Sequence, residues 1–180
     1  YSMLRKTLSL FFIFCIISSF SQISEGGKPY SFTHRTHVQI QESQIPAPSA
    51  SEIHAAANTN KSKYCVGILK RVHLNAENAG TWVHYPDGSK SWFLKVTSLG
   101  ATALNFHYST LYIPEGGELF LYNQNKNQIV GKFTSSRNTI NPITHTQLIQ
   151  GESTIIEYHQ PKDTESGFKI SISEVSYIFR

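Results

Sequence analysis

The sequence predicts an all-β fold, an antiparallel β-sandwich of jelly-roll-like form with about eight short strands. Three observations carry this. From Tyr64 onward, short runs alternate apolar and polar residues, as in Trp92-Phe93-Leu94-Lys95-Val96-Thr97, Leu104–Tyr108 and Phe168–Ile172. The runs are separated by turn-forming residues such as Pro86-Asp87-Gly88-Ser89 and Pro114-Glu115-Gly116-Gly117. No segment sustains an apolar period of about 3.6 residues, which a helical core would need.

The first residues belong to a different class. Met3 is the only methionine and the expected start, so Tyr1-Ser2 read as an upstream remnant. Leu4-Arg5-Lys6 is charged, and Thr7 to Phe20 is apolar. That run has the length of a secretory leader and is too short to cross a bilayer, so stable membrane insertion is not expected. Cleavage is placed near Gln22, which assigns 1–22 to a signal peptide and the chain to the extracellular space or the cell surface. The formal charge of +4 falls by two when Arg5 and Lys6 leave. The remaining basic residues are dispersed, and no nucleic-acid partner is expected. Cys65 is then the one remaining cysteine, either a small buried hydrophobe or half of a disulfide with a partner elsewhere.

Residues 23–63 read as an extended N-terminal arm or linker. They contain Pro46, Pro48 and the polar run Asn58–Lys63, and Ala55-Ala56-Ala57 lacks a cap and an apolar face. Residues 64–180 read as the sandwich domain. Val66–Leu74 is a strand with Val66, Ile68 and Val72 on one face and Leu69 and Leu74 out of strict phase. Thr81–Tyr85 and Ser91–Ser98 flank the turn and form a hairpin. Pro86 presets the backbone, Asp87 caps the turn and Gly88 takes positive φ. Trp92, Leu94 and Val96 share the buried face of the second strand, and Phe93, Lys95 and Thr97 share the other. Leu104–Tyr108, Leu119–Tyr122, Ile129–Phe133, Thr154–Tyr158 and Phe168–Ile172 follow, with Val175–Phe179 as a further strand.

No catalytic constellation is legible. The eight histidines form no metal-binding pair on a rigid element, and they read as solvated. His34 and His37 are three apart but lie in the arm. Gly151-Glu152-Ser153 superficially resembles a serine-protease nucleophile segment. Thr154 replaces the glycine that an oxyanion loop wants, so Ser153 is rejected as a nucleophile. Glu157 lies within a strand and is the one carboxylate that could face inward, with a salt-bridged or edge position as the preferred reading. No catalytic residue, metal ligand or cofactor is therefore assigned. The aromatics are read mainly as core. Tyr85 and Tyr112, which border turns, remain as candidate contacts for an extracellular protein or glycan.

A chain of motifs carries a resemblance. It comprises Gly27-Lys28-Pro29-Tyr30-Ser31-Phe32, Gly80-x-Trp82, Trp92-x-Leu94-x-Val96-x-Ser98-x-Gly100-Ala101, Leu104-x-Phe106, and Ile113-Pro114-x-Gly116-Gly117-Glu118-Leu119. Tyr122-Asn123, Gly131-x-Phe133-Thr134, Gly151–Tyr158 and Ile170-x-Ile172-x-x-Val175 complete it. Together they resemble the N-terminal, propeptide-side β-domain of secreted lysyl-endopeptidase-type serine proteases, a trypsin-like class common in Bacteroidetes. The resemblance implies a non-catalytic pro or auxiliary domain whose partner is a protease domain downstream in the same polypeptide. The triad, the oxyanion loop and the lysine pocket would lie beyond Arg180. The alternative reading is a stand-alone secreted carbohydrate- or protein-binding module.

Overall fold

A computed structural model describes residues 26–34, 38–58, 65–138, 144–164 and 167–180. The leader expected over 1–22 and the polar run 59–64 lie outside the described residues, as does His37.

The chain folds as an all-β sandwich, with ten strands among the described residues in two sheets. The larger sheet is built around strand β9 (Ser153–Gln160), between β4 (Lys90–Thr97) and β6 (Glu118–Asn123), with β7 (Ile129–Phe133) beyond β6. Two short strands share the other edge of β4: β3 (Thr81–His84) runs antiparallel to it, and β1 (Glu42–Gln44) adds in parallel. The smaller sheet has the order β2 (Gly67–Asn75), β10 (Lys169–Ile178), β5 (Ala103–Tyr112) and β8 (Ile149–Gln150). Trp92, Leu94, Val96, Leu119, Leu121, Ile156 and Tyr158 meet Leu104, Phe106, Ile170, Ile172 and Val175 in one core between the sheets. This is the alternation read from the sequence, converted into a shared interior.

The hairpin forms where expected. Trp82 faces Trp92 across it. Gly88 N–H donates to Tyr85 O at 3.0 Å, Asp87 Oδ1 accepts from Ser89 N–H at 2.9 Å, and Gly88 takes φ +89°. A four-residue turn closed by the Gly88–Tyr85 bond and ending in a residue of positive φ, with Tyr85 N–H donating to Ser89 O at 2.9 Å, joins the two strands. Gly80 is required for a different reason. Its φ is +86°, and a Cβ there would lie 2.4 Å from the Trp92 ring. Gly80→Ala is expected to lower stability by about 2 kcal/mol, read as a reduced Tm, through strain and overpacking together.

Several expectations are revised. The two strands expected over Phe168–Ile172 and Val175–Phe179 are one strand, β10 (Lys169–Ile178), with a register shift between Ile172 and Glu174. Leu74 keeps phase with Ile68 and Val72 and packs against the core, whereas Leu69 faces solvent. Cys65 is half-buried and unpaired, with its Sγ donating to Gly67 O at 3.3 Å.

The arm is not a tether. It contains α1 (Tyr30–Thr33), β1 and α2 (Ala50–Asn58). Helix α2 starts with a capping box missed in the sequence. Ser49 Oγ accepts from Glu52 N–H at 3.2 Å, and the Glu52 carboxylate accepts from Ser49 N–H at 2.7 Å. The Ser49 N–H, and then Lys70 at 3.1 Å, hold the Glu52 carboxyl down to about 2. Ile53 packs against the core, and Ile45 is buried in it.

Candidate functional site

The site lies on the outer face of the larger sheet, beneath the arm. Strand β9 presents Ile155, Glu157 and His159 outward, β6 presents Phe120 and Tyr122, and β4 presents Ser91 and Phe93. Such a face is normally solvated, and the alternation of β4 suggested one buried side. Instead Phe93, Phe120, Tyr122, Ile155, Glu157 and His159 are all buried. The arm explains this. Phe32, Ile40 and Ile129 pack against Phe120, Tyr122 and Ile155 in a second, smaller apolar cluster.

The contact is built from the segment Gly26–His34. Lys132 N–H donates to Gly26 O at 3.0 Å, and Pro29 opens the single turn of α1. Ser31 is thereby aimed at Glu157. Its N–H donates to Glu157 Oε1 at 2.8 Å and its hydroxyl to Oε2 at 2.6 Å. Tyr122 donates its hydroxyl to the same Oε2 at 2.9 Å. A fully buried carboxylate would be strongly unfavourable without partners, and three donors converge on it.

One residue to either side, the rings take over. Tyr30 stacks between His34 and His159, each 3.9 Å away and within 8° of parallel. Tyr85 tilts against Tyr30 at 4.9 Å. Phe32 meets the Tyr122 ring edge-on at 4.9 Å, and the Lys126 ammonium lies 4.8 Å over its other side. Beneath Tyr30, His159 Nδ1 and Ser91 Oγ are 3.0 Å apart. A hydroxyl beside an imidazole is the start of a nucleophile–base pair. Ser91, however, has no exposed surface, and Tyr30 covers the imidazole. In this arrangement the pair holds the face together and has no substrate path.

Electrostatics sets the pH behaviour. Burial pushes the Glu157 carboxyl up from its ordinary 4.5, partly offset by the Ser31 and Tyr122 donors and the charge of Lys126. Burial pushes His159 down from 6.5, opposed by the Glu118 and Asp87 carboxylates and assisted by His34. Burial, then the charge of Glu157, pushes the Tyr122 phenol up, so it stays a neutral donor. A raised carboxyl contributes stability that is present below 4.5 and lost as pH rises through the folded value. A depressed imidazole contributes stability that is present above 6.5 and lost as pH falls through the folded value. The two slopes oppose each other between those values. Relative to the parent chain, Glu157→Gln is expected to gain stability as pH rises through this window, and His159→Gln as pH falls. Thermal unfolding over a pH series reads both signs.

The two tyrosines singled out from the sequence fall apart. Tyr85 follows β3 on the larger sheet, half-buried against Tyr30, and its buried hydroxyl has no partner. Tyr112 ends β5 on the smaller sheet and is 46% exposed. Among the described residues no ring contact or hydrogen bond joins them. Glu157 is neither salt-bridged nor at an edge, since β9 is the central strand of its sheet. His159 is not solvated. One local signal was Ile155 beside Ile156, because adjacent apolar residues in a strand point to opposite faces and indicate burial on both. Ser153 is occupied otherwise, its hydroxyl 2.9 Å from Thr97 Oγ1. Among the described residues no group of three acidic, histidine or cysteine side chains is placed to hold a metal, and no helix is long and apolar enough to cross a membrane. No protein-family model matches the chain, and no solved structure matches it.

Proposed function

We propose that this chain is a non-catalytic N-terminal domain of an exported trypsin-like serine endopeptidase of the lysyl type, which assists the folding, inhibition or positioning of a protease domain that follows it. The observation that carries this reading is where the resembling motifs fall. Trp92, Leu94, Val96, Leu104, Phe106, Ile170, Ile172 and Val175 are inter-sheet core residues. Ile113–Leu119 is the turn into β6, where Gly117 N–H donates to Pro114 O at 3.0 Å and a Cβ on Gly117 would strike the Tyr158 hydroxyl at 2.7 Å. Gly27–Phe32 is the segment seated on Glu157. The shared residues thus build and cover a scaffold, which fits an auxiliary domain better than a reaction centre.

The full chain is expected to leave lysyl peptide substrates intact. Supplied during refolding of a lysyl-specific trypsin-like domain from the same reading frame, it is expected to raise the yield of active enzyme or to hold that enzyme inactive until cleaved. Hydrolysis of lysyl substrates by the chain itself, abolished in Ser91→Ala or Ser153→Ala, would overturn the non-catalytic reading. The binding-module alternative keeps one supporting observation, the exposed ring of Tyr112. It calls for a glycan or protein whose binding is lost in Tyr112→Ala while the protease domain folds unaided.

A further inference from the structure

The contact between the arm and the sheet has the anatomy of a peptide complex in which both halves belong to one chain. Three successive residues each meet a different set of side chains. Tyr30 stacks on His159 and is met at a tilt by Tyr85, with centroids at 3.9 and 4.9 Å. Ser31 presents both its amide and its hydroxyl to one carboxylate, at 2.8 and 2.6 Å. Phe32 fits between the edge of Tyr122 and the ammonium of Lys126. The backbone before them is read as well. Gly27 takes φ +108°, a backbone conformation that L side chains rarely adopt. The reading residues stand on β6 and β9 and in the turns after β3 and β6, and central strands are the most rigid part of such a fold. The ligand half is one turn of helix with no buried residue in it. A segment of so few buried contacts opens at low free energy compared with the sandwich.

We propose that the outer face of the larger sheet is a recognition site for a peptide segment of aromatic–serine–aromatic sequence, filled in cis by Tyr30-Ser31-Phe32 and open to an equivalent segment of another polypeptide when that one lifts. The carboxylate of Glu157 sets the central specificity. A residue there must offer an amide N–H and a short hydroxyl together, and an acidic residue is rejected by like charge. The flanking slots select rings over aliphatic side chains through stacking and the cation above Phe32. In the intact chain, tethering gives the resident segment a high effective concentration, so an external peptide binds only weakly.

The probe is a fluorescein-labelled peptide of residues 26–34, Gly-Gly-Lys-Pro-Tyr-Ser-Phe-Thr-His, followed by anisotropy against the full chain. Ser31→Asp in the chain sets a second carboxylate against Glu157 and lifts the resident segment. The Tyr30→Ala, Ser31→Ala double variant does so without adding charge. Each variant is expected to bind the peptide at least tenfold more tightly than the parent chain. Binding is expected to fall by a similar factor when the peptide carries aspartate for serine, or when Glu157→Ala is added to the chain. Two results would overturn the proposal. One is a folded variant, with a cooperative melt, that does not bind the peptide or binds the aspartate peptide equally well. The other is collapse of both variants, since a recognition site must persist when its occupant leaves.

Discussion

Replacing Glu157 with alanine is expected to lower stability by about 3 kcal/mol and to free the arm from the sheet, whereas glutamine at the same position changes stability by about 1 kcal/mol or less. The difference follows from the donors. Ser31 N–H, Ser31 Oγ–H and Tyr122 Oη–H converge on this one carboxylate. Alanine leaves the Ser31 amide without an acceptor and leaves the two hydroxyls only each other, 3.4 Å apart, and each buried unsatisfied group costs about 1–3 kcal/mol. Glutamine keeps one carbonyl acceptor for the amide, and both hydroxyls can reverse to accept from its NH2. With alanine the least unfavourable outcome is for the arm to lift, which hydrates the donors and exposes Phe120, Tyr122 and Ile155. Glu157→Ala should therefore bind a hydrophobic dye and lose its arm to limited proteolysis, while the sandwich still unfolds cooperatively. A variant that resists proteolysis and keeps its parent Tm would show that the contact contributes nothing to stability.

Trp92→Ala is expected to have the largest effect of any single change, a loss of about 4 kcal/mol. Trp92 has no exposed surface and packs in the inter-sheet core, with the Phe168 ring 5.9 Å away. Its indole N–H donates to Ala79 O at 3.0 Å, which ties β4 to the turn before β3. Alanine removes the ring, opens a cavity between the sheets and orphans that carbonyl. Phenylalanine restores part of the volume but not the donor, and should recover about half of the loss. Denaturant unfolding with an unchanged m-value checks both, because the loss should be one of stability and not of compactness.

The two variants divide the molecule as the sequence does. The residues around Trp92 were legible because they obey a simple rule. Trp92, Leu94 and Val96 recur at every second position, Ile170 and Ile172 alternate with polar neighbours, and Pro86-Asp87-Gly88 and Pro114–Gly117 have the chemistry that their turns require. Local preference and global fold agree there. Around Glu157 they do not agree. Glu157, His159 and Ser91 are residues that an exposed strand face would carry, and the cover over Glu157 and His159 comes from a segment more than a hundred residues away in sequence, as the Ser31–Glu157 separation of 126 shows. No periodicity announces that contact, because α1 is a single turn and β1 has three residues. Strand β8, with two residues, is equally silent. Two local signals were nonetheless present. Leu119–Tyr122 lacks the polar alternate positions of a half-exposed strand, and Ile155 is apolar on the face that also carries Glu157. Ser49-x-x-Glu52 marks a helix start before residues that alone look unstructured.

Amide hydrogen exchange at Ser31, measured residue by residue in solution, tests most directly that the arm is an integral part of this domain, docked through Glu157. Ser31 N–H is expected to exchange far more slowly than in an unstructured peptide. In Glu157→Ala it should lose that protection while the amides of Leu94 and Ile156 in the central strands keep theirs. Exchange of Ser31 at the unstructured rate in the parent chain, or equal protection in both chains, would contradict the account.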